Sequence, residues 1–135
     1  MGYTHYWKHK GITPGDWADL TRDARSIVGV ASSVKIAGGM GFSKPKFDAD
    51  GIWLNGTNVN DESYETFLLT HNASEFEFCK TGQRPYDVVV TAILLRAALT
   101  IPDFNVSSDG DWSDWQPARD LYVRLFGVTP NNVLR

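Results

Sequence analysis

The chain has 135 residues, a hydrophobic content of 42%, a net charge of −3 and one cysteine. This composition predicts one globular domain and excludes a disordered chain, an intrachain disulfide framework and a binder of long nucleic-acid duplexes. The opening residues form no apolar signal core, and no apolar run reaches the length of a bilayer span. We therefore expect a cytoplasmic protein without a membrane partner.

The first predicted element is a strand over residues 3–8, where aromatic side chains are concentrated. Side chains alternate along a strand, which places Tyr3, His5 and Trp7 on one side. Because both sides carry large side chains, this strand should lie in the centre of a sheet or in the wall of a pocket.

The next segment carries the signals of a helix start. Thr13 is a suitable N-cap, and Pro14 fits the first helical position because no N–H group is needed there. Apolar residues then recur at helical spacing from Trp17 to Ala31. This pattern predicts a helix that packs on the sheet and ends before Ser33.

Short strands and loops occupy the middle of the chain. We expect a strand at residues 34–37, a loop at the glycine-rich residues 38–41, a hairpin at residues 46–54 and a strand at residues 64–69. An Asp-Gly pair at residues 50–51 suits the hairpin turn. The glycine cluster matches neither common phosphate-binding motif, so we interpret it mainly as a flexible loop.

Charged and aromatic residues alternate in the strand that follows. Phe76 and Phe78 face one way, and Glu75, Glu77 and Cys79 face the other. The lone cysteine is therefore expected on the side of the strand opposite the phenylalanines.

The most apolar segment predicts a buried central helix near residues 85–100. Pro85 suits the first turn, and Asp87 suits the positive end of the helix dipole. Only Thr91 and Arg96 interrupt the apolar surface, and they lie well apart on the helical wheel. The helix should therefore be covered on all sides.

A last helix is expected with Ser113 or Asp114 as its cap and Gly127 at its end, followed by a loose tail from Thr129. The order of elements lacks strict alternation of strand and helix. We predict a single α+β domain over residues 1–135, with a mainly antiparallel sheet and about three helices.

Three segments carry a resemblance to a known family. They are residues 2–7, 78–81 and 85–89, with the sequences GYTHYW, FCKT and PYDVV. In these motifs the chain resembles a family of small, functionally uncharacterised proteins encoded by bacteriophages and bacteria. The resemblance implies a phage or prophage setting, in which small proteins often counter host defence. It implies no activity and no catalytic residues.

The main functional hypothesis is binding of a small anionic, nucleotide-like ligand. Free N–H groups at the start of the central helix would attract an anion, and the preceding loop concentrates cationic and hydroxyl groups. Aromatic side chains nearby suit base stacking. The residues assigned to this ligand are Tyr3, His5, Trp7, Lys80, Thr81, Arg84 and Tyr86. The competing interpretation is that the charges are solvated and the aromatic rings belong to the core.

Two enzyme hypotheses remain as alternatives. In one, Cys79 is a nucleophile with His5 or His71 as its base, although Glu77 on the same face disfavours a thiolate. In the other, a group transfer of the ADP-ribosylating type uses His5 with Glu65 or Glu77. Neither has a sequence signature, so we assign no catalytic residue beyond the weak candidates Cys79, His5 and Glu77.

A further alternative is inhibition of a host enzyme through a protein surface. Trp112 and Trp115 lie beside Asp109, Asp111 and Asp114, and tryptophan is frequent among interface hot spots. The histidine and cysteine spacings match no zinc template, so no metal or other cofactor is expected. The partner is thus a small anionic ligand or a host protein, and the sequence leaves a homo-oligomer open.

Overall fold

A computed structural model describes residues 2–135. The helices among these residues are α1 (Pro14–Val30), α2 (Asp87–Thr100) and α3 (Gln116–Phe126), with a 3₁₀ turn at Val59–Asp61. The strands among them are β1 (Thr4–His9), β2 (Ile36–Ala37), β3 (Lys46–Asp48), β4 (Gly51–Gly56), β5 (Phe67–Leu69), β6 (Ser74–Lys80) and β7 (Asn105–Ser108). The predicted α+β class is confirmed.

The strands form two small sheets in which every pairing of neighbouring strands is antiparallel. The first sheet has the order β6-β1-β7, so β1 is its central strand. This is one of the two positions that the sequence predicted for it. In the second sheet β4 pairs with β2, β3 and β5. The expected hairpin at residues 46–54 is confirmed, and Asp48 accepts a 2.9 Å hydrogen bond from the N–H group of Asp50 in its turn.

The central helix is buried as predicted, and it packs between α1 and α3. It begins at Asp87 and not at Pro85, because the N–H group of Asp87 still closes a turn onto the carbonyl of Arg84 at 2.8 Å. Within residues 2–135 no helix is long and apolar enough to cross a bilayer.

Two strands are shorter than expected. Residues 34 and 35 precede β2, and residues 64–66 precede β5. Before β5, the buried side chain of Asn55 binds the backbone N–H and carbonyl groups of Tyr64 at 3.0 and 2.9 Å. The Asn55 side chain therefore forms the hydrogen bonds to Tyr64 that a neighbouring strand would form in a sheet.

The start of α1 and the end of α3 follow their local signals, whereas the predicted cap of α3 is wrong: Trp115 precedes its first residue, and neither Ser113 nor Asp114 caps it. Thr13 caps α1 by accepting a 3.2 Å bond from the N–H group of Asp16, and Gly127 ends α3 with a φ of 76°. The expectation of a loose tail is wrong. The N–H group of Arg135 donates to the carbonyl of Val106 at 3.1 Å, so the tail lies along β7.

Arg96 connects all three helices. Its Nε atom donates to Asp23 Oδ2 on α1 at 2.9 Å, and its Nη1 atom donates to the Tyr122 hydroxyl on α3 at 2.8 Å. Burial disfavours the charged guanidinium, but the bonds to Asp23 and Tyr122 outweigh it and raise the pKa of Arg96. The one cation of the central helix is thus held by its two neighbours.

Replacing Arg96 should destabilise the protein more than replacing an exposed arginine. Arg96→Met leaves Asp23, whose side chain is 12% exposed, with only the longer contact to Arg22, and we expect the free energy of unfolding to fall by about 2–3 kcal/mol. The control is Arg22→Met, because Arg22 pairs with the same carboxylate from a 67% exposed position and should cost at most about 1 kcal/mol. Urea unfolding measures both, and equal losses would contradict this account.

The burial of His9 should make the stability of the fold depend on pH. Its ring is buried, stacks on Phe104 and accepts a 3.0 Å bond from the N–H group of Gly11. Burial lowers the pKa of His9 below its usual value of 6.5. The unfolded chain therefore binds a proton first, and stability should fall as pH drops below about 6.5, by up to about 1.4 kcal/mol per pH unit. Urea unfolding between about pH 7.5 and pH 5 should show a flatter profile for His9→Gln.

Candidate functional site

A buried polar network joins the start of β1 to the N-terminus of α2. The strand alternation points His5 inward, and its side chain is fully buried. His5 Nε2 lies 2.6 Å from Asp87 Oδ1, and His5 Nδ1 lies 2.8 Å from Ser108 Oγ. Ser108 stands opposite His5 in the register of β1 with β7. Three elements thus meet at one imidazole.

The chain's own carboxylate occupies the helix terminus at which we expected an anion. Asp87 is the first residue of α2, and its Oδ1 atom also accepts a 2.5 Å bond from the hydroxyl of Thr81. A carboxylate suits the positive end of the helix dipole. A second anion at this terminus would meet the repulsion of Asp87.

The residues Ser108, His5 and Asp87 match the residue types of a hydrolytic triad, but their bonds favour a structural role. Ser108 Oγ also accepts bonds from the N–H group of Gly110 at 2.9 Å and from Trp115 Nε1 at 3.3 Å. If the serine donates to His5, both of its lone pairs are used by these donors. The oxygen then has no free lone pair for attack.

The cationic loop does not converge on this network. Arg84 Nη2 bonds to Asp61 at 3.3 Å, and its guanidinium lies 5.1 Å from the centre of the Tyr64 ring. The backbone N–H group of Lys80 donates to Glu65 Oε1 at 2.8 Å. The structure therefore places Thr81 and His5 on the same oxygen of Asp87 but holds Arg84 against other partners.

The aromatic residues assigned to base stacking are largely enclosed. Trp7 and Tyr86 are buried core residues, and the Tyr86 hydroxyl donates to the carbonyl of Glu65 at 2.5 Å. The Tyr3 ring packs edge-on against His5, and burial raises the pKa of Tyr3 to about 12. Neither Trp7 nor Tyr86 offers an open ring face, so this geometry supports the core interpretation for both.

The weak catalytic candidates do not form an activated pair. Cys79 is fully buried, and burial raises the pKa of its thiol to about 12, so the thiolate is strongly disfavoured at neutral pH. Glu77 is exposed on the strand surface. Both ring nitrogens of His5 are already bonded, so the geometry does not support His5 as a base for Cys79 or as a partner of Glu65.

The tryptophan surface expected to contact a host protein is mostly closed. Trp115 is a core residue, and its indole N–H group bonds to Ser108. Trp112 is half-buried, with the guanidinium of Arg119 lying 4.6 Å from its ring centre. These two side chains are held by the protein itself.

A different surface combines exposed aromatic and cationic groups, and we call it the glycine-loop pocket. It is a cavity of about 390 Å³ beside residues 38–44, and its side chains include Met40, Phe42, Lys44, Lys46 and Trp53. Met40 is 78% exposed and Phe42 is 58% exposed. Large apolar side chains in water at a concave surface indicate a binding site.

The loop beside this pocket is held in place. The carbonyl of Gly39 accepts bonds from the Thr66 hydroxyl at 2.5 Å and from Asn55 Nδ2 at 3.1 Å. A Cβ atom at Gly38 would lie 2.8 Å from the carbonyl oxygen of Phe42, so the tight fold of the loop requires glycine there. The glycine cluster, which we interpreted as flexible, is in fact anchored.

The sequence segment that contains the pocket's loop differs in charge from the whole chain. Residues 24–47 contain four cations and no carboxylate, although the net charge of the protein is −3. Within residues 2–135 none of the ion pairs includes Lys44. Lys46 Nζ lies 4.5 Å from the Trp53 ring centre and 3.7 Å from Asp48 Oδ2. This gap in the acidic residues is the sequence signal that could have identified the pocket.

No protein-family model, curated protein or solved structure matches this chain. Within residues 2–135 no three His, Cys, Asp or Glu side chains gather as a metal ion would require. The resemblance to small phage and bacterial proteins therefore stays a prediction, and the function has to be inferred from the geometry.

Asp87 should contribute more to stability than an ordinary first-turn acid. Asp87→Ala removes one of the two partners of the fully buried His5 and the partner of Thr81, and we expect the free energy of unfolding to fall by about 2–4 kcal/mol. The control is Asp16→Ala, because Asp16 also lies in a first helical turn but should cost at most about 1 kcal/mol. Urea unfolding compares the two variants. A loss of stability for Asp87→Ala as small as that for Asp16→Ala would contradict the structural role of the network.

Proposed function

We propose that the protein binds a small anionic, nucleotide-like ligand in the glycine-loop pocket. The observation that carries this proposal is that Lys44 and Lys46 border the same 390 Å³ cavity as Phe42 and Trp53. Small-molecule sites are mostly apolar cavities with a few well-placed polar groups, and this cavity has that character.

The two lysines bind the anionic part of the ligand in this proposal. An ammonium group forms charge-assisted bonds to phosphate, and Lys44 has no competing ion pair within the described part of the chain. Lys46 is shared with Asp48 at 3.7 Å, which is a long and exposed contact that a phosphate can displace. Lys44 is therefore expected to be the stronger phosphate ligand.

The aromatic rings of the pocket stack on the base of the ligand in this proposal. The Phe42 ring is 58% exposed, and stacking of a base on such a ring contributes on the order of 1–3 kcal/mol in nucleic-acid complexes. The indole of Trp53 is already covered on one face by the ammonium of Lys46. Phe42 is thus the better stacking partner of the two.

Electrostatics favour this pocket over a larger one. A depression of about 590 Å³ lies beside Tyr6 on the first sheet, but Lys8 and Arg135 share its lining with Glu75. A lining of mixed sign attracts an anion less than a lining that contains lysines and no carboxylate. The ligand is assigned to the smaller cavity on this ground.

The sequence resemblance suggests a use for such binding. In a phage or prophage setting, a small protein that sequesters a nucleotide used by host defence would weaken that defence. This part of the proposal depends on the resemblance alone, whereas the binding site depends on the geometry of the pocket.

A second candidate is a docking site for a host protein. The observation that favours it is Met40, which is 78% exposed on an anchored loop. The nucleotide proposal gives this side chain no contact. Exposed apolar side chains on a pre-organised loop suit a protein partner. Met40→Ser should weaken capture of such a partner and leave nucleotide binding nearly unchanged.

Calorimetry and thermal unfolding with adenosine, AMP, ADP and inorganic phosphate test the ligand proposal. ADP and AMP should bind more tightly than adenosine or phosphate alone, and a ligand at 100 times its Kd should stabilise the fold by about 2.7 kcal/mol. Lys44→Gln should weaken ADP binding about tenfold, and Phe42→Ala should weaken adenosine binding. Lys8→Gln is the matched control on the other sheet.

Two outcomes would contradict the proposal. One is the absence of any stabilisation by the four compounds at millimolar concentration. The other is nucleotide binding that Lys44→Gln and Phe42→Ala leave unchanged, because the ligand would then lie elsewhere. Either result would favour the protein-docking candidate, provided that Met40→Ser lowers capture of a host protein.

A further inference from the structure

The depression beside Tyr6 on the first sheet combines charges of both signs with aromatic rings, and we call it the first-sheet pocket. Its volume is about 590 Å³, and Lys8, Glu75, Phe76 and Arg135 are among the residues that border it. Small-molecule sites have volumes of about 300–1,000 Å³, so this pocket has room for a ligand larger than a single ion.

An irregularity in strand pairing brings Glu75 to this pocket. Between two regular pairs of β1 with β6, the single residue Lys8 stands opposite two residues, Glu75 and Phe76. Such a bulge interrupts the alternation of side chains and changes the direction in which a strand residue points. Strict alternation would place Glu75 and Phe76 on opposite faces, but both border the first-sheet pocket.

The charged residues of the pocket have no partner of opposite sign in the chain. Lys8, Glu75 and Arg135 are exposed, and none of the ion pairs within residues 2–135 includes any of them. The pocket therefore offers a carboxylate to a cationic group, and an ammonium and a guanidinium group to an anionic one. A ligand that carries charges of both signs is complementary to it.

Aromatic rings lie beside these charges. The Phe76 side chain is 62% exposed, and the ring centres of Tyr6 and Phe78 lie 5.9 and 5.6 Å from that of Phe76. The Tyr6 hydroxyl donates to Asp109 Oδ1 at 3.3 Å, which orients the ring. An apolar side chain of the ligand can pack on these rings.

The width of the sheet sets the length of the ligand. The N–H group of Arg135 donates to the carbonyl of Val106, so the tail lies beyond β7, and β1 separates β7 from the strand of Glu75. At about 4.8 Å per neighbouring strand, the backbones of Arg135 and Glu75 lie about 14 Å apart across the sheet. An extended tripeptide covers about 10 Å and a single amino acid only about 3.5 Å. The long side chains of Arg135 and Glu75 can make up the difference for the tripeptide.

The polar groups between the two ends favour a peptide over other ligands with charges of both signs. Asn105 and Ser107 of β7 also border the pocket, and both are partly exposed. Their amide and hydroxyl groups can bond to the N–H and carbonyl groups of a peptide. A choline-type lipid headgroup has no N–H group to donate to them.

We propose that the first-sheet pocket binds a short peptide of tripeptide length through its two charged ends. The amino group of the peptide bonds to Glu75, and its carboxylate bonds to Lys8 and Arg135. The middle side chain of the peptide packs on the ring of Phe76. This binding is independent of the nucleotide proposal, because the two pockets share no residue.

Calorimetry with alanyl-phenylalanyl-alanine, its N-acetylated form and its C-amidated form tests the proposal. The free tripeptide should bind with a Kd below about 1 mM. Either blocked form should bind about three- to fivefold more weakly, because each lacks one exposed ion pair. Free phenylalanine should also bind more weakly than the tripeptide, because it is too short to reach both ends of the pocket.

Two variants assign each end of the peptide. Glu75→Gln should weaken binding of the free and the amidated tripeptide about three- to fivefold and leave the acetylated form unaffected. Arg135→Gln should weaken binding of the free and the acetylated tripeptide and leave the amidated form unaffected. The matched control is Lys44→Gln, since Lys44 is an exposed lysine that borders the glycine-loop pocket. It should leave the tripeptide affinity unchanged, and circular dichroism should show that each variant is folded.

Three outcomes would overturn this assignment. The first is that the free tripeptide shows no binding at about 5 mM. The second is an affinity that both end blocks, or both Glu75→Gln and Arg135→Gln, leave unchanged. The third is that phenylalanine binds as tightly as the tripeptide. None of these results bears on nucleotide binding, which involves a different surface.

Discussion

The bond between His5 and Asp87 is the constraint on which the arrangement of the central helix depends. A helix that is apolar on every side has no preferred face, so the hydrophobic effect buries it without fixing its rotation. Asp87 at its start must find its partner on β1, and Arg96 near its end must reach Asp23 on α1. An unpaired buried charge is costly, so these two pairs together set the rotation and the axial position of α2.

The same requirement explains why the most suggestive residues of the sequence have structural roles. His5, Thr81 and Asp87 are the residue types that catalysis and anion binding use, but each is bonded to another residue of the chain. Buried polar groups need partners whether or not a ligand is present. Chemistry-bearing side chains next to a core are therefore weaker evidence of function than exposed groups with no partner in the chain.

The distribution of charge distinguishes the two open surfaces. The glycine-loop pocket has lysines and no carboxylate in its lining, which suits an anion, whereas Glu75 and Glu77 alternate with the phenylalanines along β6. The net charge of −3 hides this difference, because a sum over the chain does not say where the cations lie. The sign of the charge that each surface attracts therefore differs.

The sequence by itself determined the features that depend on neighbouring residues. These are the cap at Thr13, the hairpin at residues 46–54, the glycine end of α3 and the burial of α2, because each follows from local sterics or from the apolar content of one segment. Only the tertiary structure decided which side of β6 is covered. Alternation places Phe76 and Cys79 on opposite faces of the strand. It does not say which face is buried, because the elements that cover one face come from distant parts of the chain. The partners of Arg84 and the anchoring of residues 38–41 were undecided for the same reason, since each depends on contacts that no local pattern encodes.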